Sequence, residues 1–187
     1  MKTFFLPSIK LTLVLLILLA CLYPLAIAAI GKLAPGHGDG ETVTYKGRVV
    51  GYALEGQKFT KDNYFWSRPS AADYKADASA GSNKGPSNPD YLKDVNARIG
   101  TFLKHNPGVT RSQIPAELVT ASGSGLDPDL SPDGAQIQVA RIAKIRGIPS
   151  QKLANLVAEN TEKSLFGLLG PAKVNVLKLN IALDEMK

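Results

Sequence analysis

The sequence predicts an α+β protein: one N-terminal transmembrane helix followed by a single exported α+β domain with long Gly/Ser/Pro loops. Three observations predict this class: a long apolar run near the N-terminus, short β-branched stretches broken by glycine, and later segments whose apolar residues recur at helical spacing. The chain has 187 residues. This length suits one domain plus an appendage, because compact domains usually contain about 100–150 residues.

The apolar run, LTLVLLILLACLYPLAIAAIG, lies between Lys10 and Lys32 and contains no charged residue. A helix rises about 1.5 Å per residue, so residues 11–31 are long enough to span the roughly 30 Å hydrocarbon core of a bilayer. Only helices and closed barrels satisfy every backbone group in hydrocarbon, which favours a helix here. Pro24 is expected to kink this helix at most.

Charges on either side of the run predict its orientation. Lys2 and Lys10 precede it without any acidic residue, whereas Asp39 and Glu41 follow soon after it. The positive-inside rule therefore predicts a cytosolic N-terminus and an exported remainder. We expect four parts: cytosolic residues 1–10, a transmembrane helix over 11–31, a Gly/Pro linker over 32–41, and an extracytoplasmic domain over 42–187.

Two processing alternatives stay open. AIA at residues 26–28 fits a signal-peptide cleavage site, although the apolar run is longer than the roughly 7–15 residues that signal peptides use. LLAC resembles a lipoprotein cleavage site before Cys21, but no polar tether follows it. Cys21 is the only cysteine, so the exported domain must be stable without an intramolecular disulfide.

The net charge is +6, but the basic residues are scattered rather than clustered. Nucleic-acid binding favours a concentrated basic face with aromatic stacking residues, so we expect no nucleic-acid partner. The mild positive balance suits a domain that lies above membrane lipid.

Three segments of the exported part predict different structures. Residues 42–60 contain β-branched and aromatic residues interrupted by glycines, which predicts a short β-meander or hairpin. Residues 66–92 contain prolines and little hydrophobic period, which predicts a long ordered loop held by aromatic anchors. The segment VNVLKLNIALD, residues 174–184, fits both a strand and a helix face; we favour a helix because Asn175 can cap it.

Helical spacing occurs in three further places. Residues 90–105 predict one helix, with Asn-Pro-Gly after it as a stop signal. Ser131 and Pro132 are a good cap pair for a second helix that ends at Gly147. A third helix begins near Ser150.

The stretch VTASGSGLDPDLSPDG, residues 119–134, could serve several chemistries. A Walker-type phosphate loop needs a Gly-Lys-Ser/Thr ending, and this stretch contains no lysine. A nucleophile elbow needs Gly-x-Ser-x-Gly, whereas Ser124 stands between adjacent glycines and both histidines lie in or beside Gly/Pro turns. We therefore expect no catalytic residue here.

Two interpretations of the acidic residues in this stretch remain. Four residues alternate like the first ligands of a calcium loop: Asp127, Asp129, Ser131 and Asp133. Pro132 stands where that loop needs glycine, and no glutamate follows at its last position. We favour the second interpretation, in which Asp129, Ser131 and Asp133 cap a helix and complement its dipole, and we expect no metal site.

Five segments in order, after one N-terminal span, closely resemble the C subunit of the Kdp potassium-transporting P-type ATPase: FWSRPSAADY, GSNKGPSNPDYL, LVTASGSGLDPDLSP, QVARIAKIRGI and VNVLKLNIALD. The resemblance covers essentially the whole chain. Three departures from the family pattern are visible. Ser67 stands where glycine is expected, Asp129-Leu130 replaces a His-Ile pair, and no Glu-Pro-Arg run precedes VNVL.

The resemblance implies a bacterial inner-membrane complex with three other subunits: a channel-like potassium-translocating subunit, a P-type catalytic subunit that hydrolyses ATP, and a very small single-span subunit. It implies that the C subunit is accessory, docks its exported domain on the outer face of the channel-like subunit and supports assembly. ATP and K⁺ are then handled by the complex, with no cofactor bound tightly by this chain. The family is also linked to nucleotide binding, but ATP is cytosolic, so we expect no direct catalysis by an exported domain.

Within the resembling segments we expect ten residues to contact partners or to hold the structure: Arg68, Pro69, Ser82, Asn83, Ser122, Gly123, Ser124, Asp127, Gln138 and Arg141. An alternative function is a membrane-anchored extracytoplasmic binding module or enzyme that acts alone. This alternative predicts ligand affinity or turnover by the isolated domain, whereas a complex subunit should be unstable or scarce without its partners.

Overall fold

A computed structural model describes residues 2–186 of the chain. These residues form two compact units, one that ends at Thr42 and one that begins at Val43.

The first unit is built on one long helical segment. Helix α1 covers Lys2–Leu16, a π-helical stretch covers Ile17–Leu22, and helix α2 covers Tyr23–Gly31. The π-helical stretch ends two residues before Pro24, which has no N–H and whose ring displaces the carbonyl one turn earlier. The proline therefore alters the local hydrogen bonding without ending the helix.

This segment has the length and composition to cross a membrane. The candidate span runs from Phe4 to Gly31; its most apolar 18-residue window has a mean hydropathy of 2.8, and none of that window is buried within the structure. The helix begins nine residues before the uncharged run does, because Lys10 limits the apolar region but not the helix. The predicted class, one N-terminal apolar helix followed by an α+β domain, is confirmed.

The second unit opens with the predicted hairpin. Strands β1 (Thr42–Tyr45) and β2 (Arg48–Tyr52) form a two-stranded sheet. Lys46 and Gly47 make the turn between them, with φ of 49° and 75°. Both φ values are positive, which is the conformation that a two-residue hairpin turn requires and that glycine adopts without steric cost.

A second sheet is small and antiparallel, with the order β3-β5-β4. Its strands are β3 (Asp129–Leu130), β4 (Thr161–Glu162) and β5 (Lys173–Asn175). Val174 of the central strand pairs with Leu130 on one side and Thr161 on the other. Val174 and Leu130 are buried, so this short sheet forms one wall of the core.

Helices supply the rest of the domain. Helix α3 covers Pro89–His105, α4 Pro132–Gln136, α5 Val139–Arg146, α6 Ser150–Glu159 and α7 Val176–Glu185. The largest buried apolar side chains come from one loop, two strands and three helices and pack in one cluster: Phe65, Leu130, Ile142, Leu153, Val174, Val176, Leu179 and Leu183. The domain therefore has a single core, which it must have because it contains no disulfide.

Three of the four helix predictions are confirmed. Helix α3 begins after Asn88, whose side-chain oxygen accepts hydrogen bonds from the first turn, and it ends at the Asn-Pro-Gly stop. Helix α6 buries Leu153 and its apolar neighbours one turn on. Asn175 caps α7 by accepting a hydrogen bond from the Lys178 N–H at 3.0 Å, so the ambiguous C-terminal segment is a helix after its first two residues.

The fourth helix prediction is wrong in one respect, because the helix expected from Ser131 to Gly147 is divided at Gln138. The Gln138 side-chain amide donates to the Gly134 carbonyl at 3.0 Å, the acceptor that a continuous helix would offer to the Gln138 backbone N–H. That N–H instead bonds the Ala135 carbonyl at 3.1 Å. Ser131 does cap the first part, and Gly147 ends the second with φ of 66°.

Candidate functional site

Two loop segments lie against each other on the surface of the domain, and we call them the docking loops: residues 66–88 and residues 119–127. The first contains one 3₁₀ turn, at Ala76–Ala78, and is otherwise irregular. Backbone hydrogen bonds join the two loops, from the Ser122 N–H to the Pro69 carbonyl at 3.1 Å and from the Ala80 N–H to the Ser124 carbonyl at 2.9 Å. These bonds order a region whose composition alone would permit disorder.

Two glycines allow the docking loops to approach this closely. A Cβ atom on Gly81 would lie 2.9 Å from the Gly123 carbonyl oxygen, and one on Gly125 would lie 2.8 Å from the Ala80 carbonyl oxygen. Gly125 also has φ of 71°, a backbone conformation that side chains disfavour. Gly125, the second glycine of the GSG pattern, is therefore required by loop packing.

An ion pair links the same two loops. The Arg68 guanidinium donates to the Asp127 carboxylate at 2.7 Å, and both side chains are largely buried. The other Asp127 carboxylate oxygen accepts the Asp129 backbone N–H at 3.0 Å, which holds the turn that precedes β3. Asp127 thus fixes the loop from both of its oxygens.

Tyr74 anchors the first docking loop from inside. Its hydroxyl donates a hydrogen bond to the Arg68 carbonyl oxygen. Burial, and then the nearby charge of Asp73, raises the pKa of Tyr74 to about 12. The phenol therefore stays protonated and keeps donating throughout the physiological pH range.

A second cluster, behind the loops, is centred on Arg141, which is only 5% exposed. Its guanidinium donates to the side-chain oxygens of Asn106 at 3.0 Å and Gln138 at 2.8 Å. It also donates to the backbone carbonyls of Asp62 and, at 3.1 Å, Tyr64. Burial lowers the pKa of Arg141 to about 10, while the Asp62 carboxylate acts in the opposite direction, so the side chain remains charged at neutral pH.

Trp66 covers this buried arginine. The Arg141 guanidinium carbon lies 4.6 Å from the centre of the Trp66 ring, a cation–π geometry. The His105 ring packs edge-on against the same tryptophan at 5.0 Å, and its Nδ1 lies 2.8 Å from an Asp62 carboxylate oxygen. These contacts hold the start of the first docking loop on helices α3 and α5.

Two side-chain amides hold Phe65 and Trp66, where that loop begins, as a strand partner would. Gln138 accepts the Trp66 N–H at 2.8 Å and donates to the Trp66 carbonyl at 3.2 Å. Asn180 does the same for Phe65, at 2.9 Å and 3.0 Å. Both amides are buried, so each satisfies one backbone N–H and one carbonyl that would otherwise be buried without a partner.

The structure places the ten predicted site residues in three settings. Five of them make the contacts within the docking loops: Arg68, Pro69, Ser122, Ser124 and Asp127, with Gly123 beside them. Gln138 and Arg141 lie in the buried cluster. Ser82 and Asn83 are exposed at the surface of the first docking loop.

Sequence reasoning missed several residues in and around the buried cluster: Asp62, His105, Asn106 and Asn180. It expected Trp66 only as an aromatic anchor of the long loop. One signal was visible, since Asn180 interrupts the apolar face of LKLNIAL, and a polar residue at a core position must be hydrogen-bonded. Ser67, the departure from the family pattern, is buried and donates to the Gln57 carbonyl at 2.8 Å. It therefore has a structural contact of its own.

The acidic side chains of residues 119–134 do not come together at one site. Asp129 pairs with Lys173 at 2.8 Å, so its expected role as a helix cap is wrong. Ser131 is the cap, accepting from the Gly134 N–H at 3.0 Å, and Asp133 lies in the first turn of α4. Among residues 2–186 the structure has no group of three His, Cys, Asp or Glu side chains that could hold a metal ion.

These features define a class of protein: a single apolar helix suited to a membrane, joined to an α+β domain whose ordered loops are fixed from within. A sequence profile for the family described as "K+-transporting ATPase, c chain" matches residues 5–185. The chain belongs to this family, the KdpC family. The resemblance read from the sequence is thereby confirmed.

Similar proteins match along the whole chain. It is 56% identical over 179 residues to the "Potassium-transporting ATPase KdpC subunit" of Flavobacterium johnsoniae, with 96% of each chain covered. It is 52% identical over 190 residues to the protein of that name from Bacteroides fragilis, covering 100% of this chain and 99% of the other. The corresponding protein of Polaromonas naphthalenivorans is 46% identical over 191 residues, covering 100% and 97%.

The buried cluster predicts a large effect of removing Arg141. Arg141→Met keeps most of the volume but leaves three of the four oxygen acceptors without a donor, so we expect a loss of about 3–5 kcal/mol in the free energy of unfolding. Lys144→Met, on the exposed face of the same helix, is the matched control and should change stability by less than about 0.5 kcal/mol. Urea unfolding of the full chain in detergent micelles, followed by circular dichroism, measures both. Equal stability of the two variants would show that the cluster is dispensable.

The glycine contacts predict how the docking loops respond to a methyl group. Gly125→Ala should separate the loops, because the added Cβ meets the Ala80 carbonyl and the positive φ becomes strained by about 1–3 kcal/mol. Trypsin should then cleave faster after Lys75 and Lys84, which are exposed in the first docking loop. Gly123→Ala is the control, since nothing lies within 4 Å of its added Cβ. Identical cleavage rates in the two variants would contradict the packing described here.

Proposed function

We propose that this chain is an accessory, non-catalytic subunit of an ATP-driven potassium uptake complex, and that it supports assembly and stability of that complex. The observation that carries the proposal is the family match over residues 5–185, together with relatives that are named as subunits of a potassium-transporting ATPase along their whole length. Proteins so similar over their full length share a fold.

The geometry supports a docking role for the loops. Long irregular loops are usually either functional or disordered. Here the loops are ordered by the Arg68–Asp127 ion pair, the Tyr74 hydroxyl and the backbone bonds between the two loops. The side chains that make these contacts are therefore occupied and are not free to act on a ligand. A surface that is ordered before it binds loses less conformational entropy on association, which suits a subunit interface.

We propose the partners that the family resemblance implies: the channel-like potassium-translocating subunit, the P-type catalytic subunit and the very small single-span subunit. The docking loops would face the outer side of the channel-like subunit. ATP and K⁺ would be handled by the complex, and this chain would bind no cofactor tightly. A modulating effect on nucleotide or potassium handling would then act through these contacts.

We further propose that the chain is anchored once in the bacterial inner membrane, with its N-terminus in the cytosol and its domain on the periplasmic side. Lys2 and Lys10 precede the apolar run, whereas acidic residues follow it, and this asymmetry supports the orientation. Helix α2 also carries small residues in its outer half, AIAAIG, which would let the backbone of a partner helix approach closely.

Copurification tests the proposed function. The tagged chain, extracted from native membranes under potassium limitation, should carry the other subunits with it, and removing the chain should lower both the yield of the complex and its potassium-stimulated ATPase activity. The purified chain alone should hydrolyse no ATP. Turnover or ligand affinity by the chain alone, with a complex that assembles without it, would instead establish the stand-alone binding module or enzyme.

Thiol labelling tests the orientation. A cysteine introduced at Ser79, which is exposed in the first docking loop, should react with an impermeant thiol reagent on intact spheroplasts when Cys21 is replaced by serine. A cysteine at Thr3 should react only after the membrane is opened. The reverse pattern would place the domain in the cytosol and remove the argument for an outer docking site.

A further inference from the structure

The hairpin that connects β4 and β5 ends in an apolar tip, which we define as residues 165–169, LFGLL. Its four large side chains are among the most exposed apolar groups of the domain: Leu165 at 60%, Phe166 at 85%, Leu168 at 86% and Leu169 at 61%. Single exposed apolar residues are ordinary, but a contiguous patch marks a surface that contacts something else.

The apolar tip is ordered by its own backbone. Leu165 and Leu169 exchange two hydrogen bonds, each 2.9 Å long, and form an isolated antiparallel bridge. Inside this bridge the Gly167 N–H bonds the Ser164 carbonyl at 2.9 Å, and the Leu168 N–H bonds the Leu165 carbonyl at 3.1 Å. Backbone groups that enter hydrocarbon must be satisfied internally, and these four bonds satisfy part of the tip's backbone where the chain turns.

The apolar tip lies within an uncharged stretch with a lysine at each end, a pattern typical of segments that insert into the membrane–water interface. No charged residue occurs from Ser164 to Ala172, whereas Lys163 and Lys173 stand at the two ends of this stretch. Lys173 pairs with Asp129 and Glu162, which fixes the base of the hairpin. Lys163 is exposed, and a lysine beside an apolar wedge can keep its stem on the apolar side and its ammonium among phosphate headgroups.

A short connection joins the domain to the candidate membrane helix. Helix α2 ends at Gly31 and β1 begins at Thr42, so the connecting residues reach at most about 35 Å even when fully extended. A domain tethered at this range meets the membrane surface at a high effective concentration. A weak affinity of the tip for lipid is therefore sufficient to keep the tip bound.

We propose that the apolar tip inserts into the interface of the bilayer that holds the chain's own helix, with acyl chains around Leu165, Phe166 and Leu168 and anionic phospholipid headgroups around Lys163. The proposal rests on the membrane anchoring proposed above. It assigns the tip a lipid contact distinct from the docking loops, and it gives the domain a second point of attachment that orients it over the membrane.

A fluorophore at the tip tests this in the full chain. In a Cys21→Ser background, Leu168→Cys is labelled with nitrobenzoxadiazole, and Ser112→Cys, exposed in the Arg111–Gln113 turn, is the matched control. Both proteins are reconstituted into vesicles of phosphatidylethanolamine and phosphatidylglycerol, and flotation first shows that the helix has inserted. A chain that does not float overturns the anchoring, and with it this proposal, whatever the tip does.

In floated vesicles the label at 168 should emit at shorter wavelength than the label at 112 and should lose intensity when phospholipids brominated near the glycerol end are included. Lowering the phosphatidylglycerol content should reduce this quenching, because Lys163 then has fewer anionic partners. A label at 168 that is as unquenched as the control overturns the proposal. In native complex, shielding at 168 without quenching by brominated lipid would also overturn it, and would assign the apolar tip to a socket on a partner subunit.

Discussion

The buried guanidinium of Arg141 is the interaction on which the rest of the domain depends. A charge this far from water is tolerated only where donors and acceptors match, and the surrounding backbone and side-chain oxygens provide that match. The arginine belongs to α5, whereas two of its acceptors are backbone carbonyls of residues 62–64. The cluster thus ties the segment that precedes the first docking loop to the helical core, and Trp66 closes it from the outside.

The ordered conformation of the docking loops depends on this cluster. Gln138 and Asn180 pair with the backbone of Trp66 and Phe65, so the chain leaves the core in one defined direction. From there Arg68–Asp127 and the loop-to-loop backbone bonds fix residues 66–88 on residues 119–127. In the accessory subunit proposed above, this arrangement would present a surface of fixed shape to another subunit.

Much of the fold could be predicted from local patterns, and the remainder depends on contacts between distant residues. The apolar helix, the hairpin, α3, α6 and the Asn175 cap follow from periodicity and capping residues that lie next to each other in the chain. The division of the helix at Gln138 does not, because it results from a side chain that bonds both Gly134 and a loop 72 residues earlier. Asp129 was expected to cap α4, but it faces Lys173 on the neighbouring strand, a contact that only the sheet register creates.

The central claim is that the docking loops are ordered in the chain before any partner binds. Hydrogen–deuterium exchange of the full chain alone, in detergent micelles, measures this at two amides, Ala80 and Ser122, whose hydrogen bonds join the loops. The account predicts that both amides exchange far more slowly than in an unfolded chain, and that Arg141→Met accelerates both together because the loops depend on the buried cluster. Exchange of both amides at the unfolded rate in the wild-type chain would contradict it, since the loops would then acquire their order only on assembly.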